Sequence, residues 1–292
     1  MDKIRKKLNI DSIHKAGVTG NQVGVAIIDT GVSVHADLKN NLICFADYVN
    51  NRKSYYDDNG HGTHVAGIIG GNGKKFGGKY KGIAPDSRLI IIKCLDYKGN
   101  GSIKNALEGF DFIIKNRKKY NIRIVNISLG TSPDNKEIDM DSLIEGVEQL
   151  WREGFVVVAA AGNNGPKEGS ITAPGCAKSI ITVGASDDRK NSTGNIYDFS
   201  GRGPTKDCII KPEIVCPGIN IMSCDVNKTG YMTRSGTSMS APIVSGVIAL
   251  TLEKYPDMTN KEVKKLLYET ATDIGLNKSR QGWGMINPLK MI

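Results

Sequence analysis

"QVGVAIIDTG" occupies residues 22–31, and its reading decides the fold. A strand with one wet face alternates polar and apolar residues. This run is apolar almost throughout, which suits a strand covered on both faces, as in a parallel sheet. Four more stretches read the same way: "RLIIIKCLD" (88–96), "IRIVNISLG" (122–130), "FVVVAAAG" (155–162) and "KSIITVGAS" (178–186). Residues 102–119, 138–153, 237–254 and 259–270 carry helical spacing instead. The alternation predicts an α/β domain: a doubly wound, mostly parallel sheet flanked by helices, with right-handed crossovers. No repeat, low-complexity tract or linker interrupts the chain. The economical reading is one domain over 1–292, with 1–21 as an N-terminal segment packing on the body and no evident pro-domain.

In such sheets chemistry gathers outside the carboxyl ends of the strands. Asp29 follows "VAII", Ser128 follows "IVNI" and Asn163 follows "VVVAAAG". An acid, a hydroxyl and an amide are thereby expected along one edge.

The 292 residues are 39% hydrophobic and 24% charged, a soluble globular balance. No apolar run approaches the ~20 residues that cross a membrane. The basic start "MDKIRKKLNIDSIHKAG" lacks the apolar stretch of a secretory signal. A cytoplasmic location is the first expectation, a mature form of a secreted precursor the second. Six scattered cysteines form no CxxC pair, and a domain this size needs no disulfide. Cys94 and Cys216 sit in apolar segments and read as small buried hydrophobes. The net charge of +9 concentrates in "KIRKK" (3–7) and "KNRKK" (115–119). No aromatics interleave with these runs, so they read as solvated faces, and no nucleic acid or membrane partner is expected.

Of four histidines, His14 lies in the basic N-terminal segment and His35 in a polar loop. "DDNGHGTHVAGIIGG" (57–71) places His61 at a helix entrance and His64 a turn inside. Zinc proteases need HExxH, with an acid between histidines four apart. That pattern is missing, so zinc is not expected. His64 reads as packed and His61 as free to face a cleft. "GKKFGGKY" (73–80) nearly spells a phosphate loop but ends in Tyr80 and follows no strand. "GNGSIK" (99–104) has Lys104 where a dinucleotide loop has its third glycine. Neither carries a nucleotide.

"SGTSMSAPIVSG" (235–246) crowds four hydroxyls onto a helix entrance. Pro242 reads there as a first-turn proline, where its missing N–H costs nothing. A capped helix alone would explain the hydroxyls. A nucleophilic serine needs a base, an acid orienting that base, and donors for an oxyanion. His61, Asp29 and Asn163 supply those types.

With these residues assembled, the chain resembles a subtilisin-like serine protease of the subtilase family (peptidase S8). "VAIIDTGV" (25–32), "NGHGTHVAGII" (59–69), "NISLG" (126–130), "VVAAAGNNG" (157–165) and "SGTSMSAPIVSG" occur in the family's order, and the likeness spans nearly all of 20–288. The resemblance implies a serine endopeptidase acting through an acyl-enzyme. Asp29 then orients His61, His61 is the base and later the acid, and Ser238 attacks. Asn163 and the Ser238 N–H form the oxyanion hole, with Thr237 assisting nearby. It also implies that a peptide or protein substrate binds as an extended strand between Gly99–Gly101 and Ser128–Gly130. Ala160, Ala161, Gly162 and neutral Asn164 wall the pocket before the cut bond, with Thr172 at its floor. Ile103, Ala106 and Leu129 line an apolar pocket three residues upstream. A catalytically silent peptide-binding pseudoprotease is the alternative.

Two departures from the family stand out. Its tight calcium loop is replaced by the lysine-rich "GNGKKFGGKYKG" (71–82), where Asn72 is the only amide side chain. No cofactor is required; a structural calcium is implied only as a weak contact at Asp37, or near 175–180 with Glu213. The second departure is an insertion, "TSPDNKEIDMD" (131–141), beside the substrate edge.

Overall fold

The computed structural model describes residues 1–130, 137–187 and 198–292. Most of the 131–141 insertion therefore lies outside the described residues. Two short helices open the chain, α1 (Asp2–Lys7) and α2 (Ile10–Lys15), followed by strand β1 (Gly24–Asp29). Then come β2 (Leu42–Asp47), α3 (His61–Gly70), β3 (Arg88–Lys93), α4 (Ile103–Tyr120), β4 (Ile122–Ile127), α5 (Glu137–Arg152) and β5 (Val156–Ala160). β6 (Ile181–Ala185), β7 (Ile214–Cys216), β8 (Ile221–Cys224) and β9 (Tyr231–Arg234) lead into α6 (Thr237–Lys254). α7 (Asn260–Thr270), α8 (Lys278–Gln281) and α9 (Pro288–Met291) close the chain.

Seven strands form one sheet in the order β2-β3-β1-β4-β5-β6-β7, every neighbouring pair parallel. β1 sits between β3 and β4, with Asp29 opposite Lys93 and Ile28 opposite Ile127. All six residues of β1 are buried, as its unbroken apolar pattern requires. α3 and α6 pack on each other and on the sheet, and α4 and α5 do likewise, giving the two helical layers of a doubly wound fold. The long helices fall within two residues of their sequence-read ranges.

The chain visits β2 and β3 on one side of β1, then crosses to β4 on the other. That reversal opens a crevice at the carboxyl ends of β1 and β4, where Asp29 and Ser128 stand. The N-terminal segment packs on the body through Leu8, Ile10 and Ile13, which join the main core. Cys94 and Cys216 are buried, and all six cysteines are free thiols. No helix among the described residues is long and apolar enough to cross a membrane.

Candidate active site

Asp29 ends β1 fully buried. One carboxylate oxygen accepts from the Thr30 N–H at 2.7 Å. His61 opens α3 and donates through Nδ1 to both Asp29 oxygens, at 2.7 and 2.9 Å. Its side chain keeps 21% of its surface while Asp29 keeps none, so the imidazole is the reachable member of the pair. Burial pushes the His61 pKa down, but the Asp29 charge and hydrogen bond outweigh that and raise it. With Nδ1 held by the carboxylate, Nε2 is free to take a proton.

His64 lies one turn further along α3 and has the opposite environment. It is buried, hydrogen-bonded to the Ile221 carbonyl at 3.0 Å, and pushed down to about 3 by burial. The two histidines of "HGTH" thus divide into one partly exposed, aspartate-held ring and one packed neutral ring. Burial lowers His14 and His35 as well. An unfolded histidine takes up its proton near 6.5, whereas folded His64 refuses it down to about 3. Stability is therefore full above about 6.5 and is lost as pH falls toward 3. The melting temperature should fall between about pH 6.5 and 3, and His64→Gln should flatten that slope. An unchanged slope in the variant would contradict this assignment.

The four hydroxyls at the start of α6 have four fates. Ser235 Oγ accepts from the Asn220 N–H at 2.9 Å. Ser240 is buried and donates to the Cys216 and Pro217 carbonyls. Thr237 Oγ1 donates to Asn163 Oδ1 at 3.1 Å and accepts from the Gly162 N–H at 3.2 Å. Only Ser238 faces the crevice, its hydroxyl resting on the Ser128 carbonyl at 3.2 Å. Pro242 is not in the first turn as the sequence suggested; it is the sixth residue of α6. The N–H it lacks would have bonded the Ser238 carbonyl, which instead receives the Ser128 hydroxyl at a long 3.5 Å.

Asn163 Oδ1 also accepts from the Thr237 N–H at 3.0 Å, so its NH2 is left to face the cavity beside Ser238. That cavity, about 180 Å³, is lined by Leu129, Gly130, Ala160, Gly162, Asn164 and Thr172 among others. Ala161 is a correction: it lies buried beneath the lining, its N–H on the Val183 carbonyl and its own carbonyl on the Thr172 N–H. Gly162 has to be glycine, because a Cβ there would stand 2.3 Å from Thr172 Oγ1 at a φ of +89°. A second cavity of about 450 Å³ brings Gly99, Gly101, Ile103, Ala106, Leu129 and Gly130 together. Both backbone edges expected to flank an extended strand border this second cavity.

Sequence reasoning missed the clamp that places His61. Asp57 Oδ1 accepts from Thr30 Oγ1 and from the Asn59 and Gly60 N–H groups, at 2.8–3.1 Å. Its Oδ2 accepts from the Thr63 N–H and hydroxyl, at 2.9 and 2.6 Å. One carboxylate thereby ties the residue after Asp29 to the turn carrying His61. The signal was an acid four residues before a helix entrance (Asp57 before His61). Lys93 was missed too. It is fully buried and donates to Asp58 and to the Thr30 and Leu95 carbonyls, at 2.6–2.8 Å. A lysine inside "LIIIKCL" announces such a partnered interior charge.

The residues implied for calcium do not fit it. Asp37 is buried; its Oδ1 accepts from the Lys75 N–H at 3.0 Å and its Oδ2 from the Tyr231 hydroxyl. Neighbouring His35 uses both ring nitrogens, on the Asp37 N–H and the Gly230 carbonyl, so its cluster with Cys224 offers no free nitrogen to a metal. Asn72 Oδ1 accepts from its own loop, at Lys74. Glu213 accepts from Lys211 at 2.6 Å, Lys264 at 2.9 Å and the Thr182 N–H at 2.9 Å. Burial pulls Lys211 down to about 8, which leaves it a cation at neutral pH. The expected weak calcium contacts at Asp37 and Glu213 are thus corrected to internal hydrogen bonds and ion pairs.

An aspartate-held imidazole, a serine at a helix entrance and an outward amide are grouped at one sheet edge. The profile of the subtilase family matches residues 20–284. The chain belongs to the subtilase family. It is 40% identical over 274 residues to serine protease AprX of Bacillus subtilis (strain 168), covering 86% of this chain and 61% of that protein. It is 34% identical to Subtilisin Savinase of Lederbergia lenta, covering 96% and 94% of the two chains. The minor extracellular protease Epr of B. subtilis is also 34% identical, but the chain spans only 40% of it. Among solved structures, the S41 psychrophilic protease superposes with a TM-score of 0.79 at 31% identity, covering 92% of each chain. Sphericase gives 0.79 at 29%, covering 95% of this chain and 96% of that one.

Proposed function

We propose that the chain is a serine endopeptidase that hydrolyses peptide bonds through an acyl-enzyme on Ser238. The observation that carries this is the buried Asp29 gripping Nδ1 of a partly exposed His61. That grip fixes the tautomer whose Nε2 accepts a proton. Rotation of Ser238 off the Ser128 carbonyl presents its hydroxyl to His61. Attack on the scissile carbonyl then moves the proton to Nε2, and the same nitrogen returns it to the leaving amine. The developing oxyanion is received by the Asn163 NH2 and the Ser238 N–H. The first is aimed by Thr237, and the second is an unpaired donor at the start of α6. Water repeats the sequence on the acyl-enzyme. The presence of all four residue types supports turnover over the silent peptide binder.

The substrate is a peptide or protein held as an added strand against Gly99–Gly101 and Ser128–Gly130. A role for nucleic acid or a membrane is not part of this reading. No carboxylate lines either cavity among the described residues. A lysine or arginine entering beside Ser238 would lose hydration and meet no carboxylate among the residues lining that cavity. Asp57 and Asp58 are held by the His61 turn and by Lys93. Cleavage of a peptide library, read by mass spectrometry, should therefore show Leu, Phe or Met before the cut and an apolar residue three positions upstream. A profile dominated by Arg or Lys before the cut would refute these pockets. A serine-reactive phosphonate should attach to Ser238 in the same preparation; no adduct on a folded chain would return the reading to a peptide binder.

A further inference from the structure

We infer that the chain has put its own side-chain cations where the fold family would hold calcium, so that arginine and lysine take the place of metal in bracing it. The first position is the loop 73–82. Arg5, on α1, is buried to 5% exposure and reaches across to this loop. Its Nη1 donates to the Lys81 and Lys79 carbonyls at 2.6 and 3.3 Å, and its Nη2 to the Gly78 carbonyl at 3.1 Å. Nε pairs with Asp11 at 2.7 Å. Three carbonyls converging on one positive centre is the oxygen-donor arrangement of a hard cation. Here a planar, permanently charged fork fills it.

The surroundings favour a single charge over a double one. Lys74, Lys75, Lys79 and Lys81 all stand in this loop. A divalent ion would add two charges to a loop that already carries four lysines, whereas a guanidinium adds one and carries Asp11 as its counter-ion. Asp37, the nearest carboxylate implied for the ion, is turned to Lys75 and Tyr231.

The second position repeats the substitution with different residues. Lys211, fully buried, donates to the Ile180 carbonyl at 3.1 Å and to Glu213 at 2.6 Å. Lys264 donates to the Ser179 and Ile180 carbonyls at 2.7 and 2.9 Å, and to the same Glu213 oxygen at 2.9 Å. Two ammonium groups thus occupy the carbonyls and carboxylate that a weak calcium contact would use. The two positions lie on separate elements and share no residue, so one cause acting twice is the economical account.

The consequence is a fold whose bracing cannot be extracted by a chelator. The test uses the full chain with Ser238→Ala, which removes self-digestion, melted by circular dichroism in excess EDTA and in 5 mM calcium chloride, roughly a weak extracellular site's range. The two midpoints should agree within about 1 °C. Arg5→Ala and Lys211→Met should each lower the midpoint by roughly 5 °C or more, the scale for losing a buried charged hydrogen-bond centre in a chain this long. Arg5→Ala should also let added trypsin cut among Lys74–Lys81 in the native state, while the parent resists in EDTA. A calcium-induced rise of several degrees in the parent would overturn the inference. So would variants that melt and resist trypsin like the parent. Melting and trypsin resistance report the fold rather than turnover, and a serine-reactive phosphonate added throughout stops self-digestion whichever serine attacks, so this inference and the proposed activity stand or fall separately.

Discussion

Ser238→Ala should fold as the parent does and lose roughly six orders of magnitude in kcat, the scale known for removing the serine of subtilisin. Folding is spared because the hydroxyl rests on the Ser128 carbonyl alone, at 3.2 Å, on a helix anchored by fifteen buried residues. Activity is lost because nothing else at that entrance can replace the group. Ser235 braces Asn220, Thr237 holds Asn163, and Ser240 is sealed against Cys216 and Pro217. Combining Ser238→Ala with His61→Ala should be hardly worse than either alone. The base has no task without the hydroxyl, and the hydroxyl is a poor nucleophile without the base. Turnover of a chromogenic peptide by each purified variant reads this out. An active, folded Ser238→Ala beside a dead, folded Ser240→Ala would show that the nucleophile was assigned wrongly.

Asp29→Asn should lower kcat by about four orders of magnitude with little change in KM. The substitution keeps the size of the side chain while removing the charge that outweighs burial at His61. An amide there can also offer N–H to the ring and so favour the wrong tautomer. The base works only when neutral, so activity in the parent falls as pH drops through a His61 pKa that lies above the usual 6.5. Removing the Asp29 charge should move that acid limb to lower pH. A purely structural role for Asp29 would reduce the amount of folded enzyme and leave the limb where it was. The pH–rate profile of kcat/KM therefore separates the two accounts.

The central sheet was legible because its strands are buried on both sides. β1, β3, β4, β5 and β6 each show as an apolar run with no competing pattern. β2 was not legible. It is the edge strand, mostly half-exposed, and "LICFAD" has neither clean alternation nor an unbroken apolar run. The β8–β9 ribbon escaped for the same reason, since "YMTR" carries no apolar periodicity. In the candidate site, Asp29 and His61 stood out because one ends a strand and the other opens a helix, while Ser238 is the second residue of α6 and Asn163 lies three residues beyond β5. Ala161 was misplaced because adjacent residues of a chain leaving a strand point to opposite sides, and a run of small residues does not say which faces the cavity. The partners of these two positions were hard to read locally because two of the three come from elsewhere in sequence: Arg5 from the N-terminal helix and Lys264 from α7, beside the adjacent Lys211. Nothing local to 71–82 or to Glu213 announces either. Asp57 was visible as a residue but not as a clamp, for its five donors converge only after β1 and α3 meet.

The placement of β1 has a bearing on how the chain comes to fold. Its neighbours β3 and β4 begin 64 and 98 residues further along, and Ser238 arrives on a helix more than 200 residues after Asp29. Contacts this distant in sequence are closed late and slowly, because loop entropy is lost before any contact compensates it. A nascent chain can hold the aspartate and the histidine near one another long before α6 exists to bring the serine. On the proposed reading, cutting power appears only once α6 has been made. A partly made copy, with its unpaired strands still open to attack, has no weapon to turn on its neighbours.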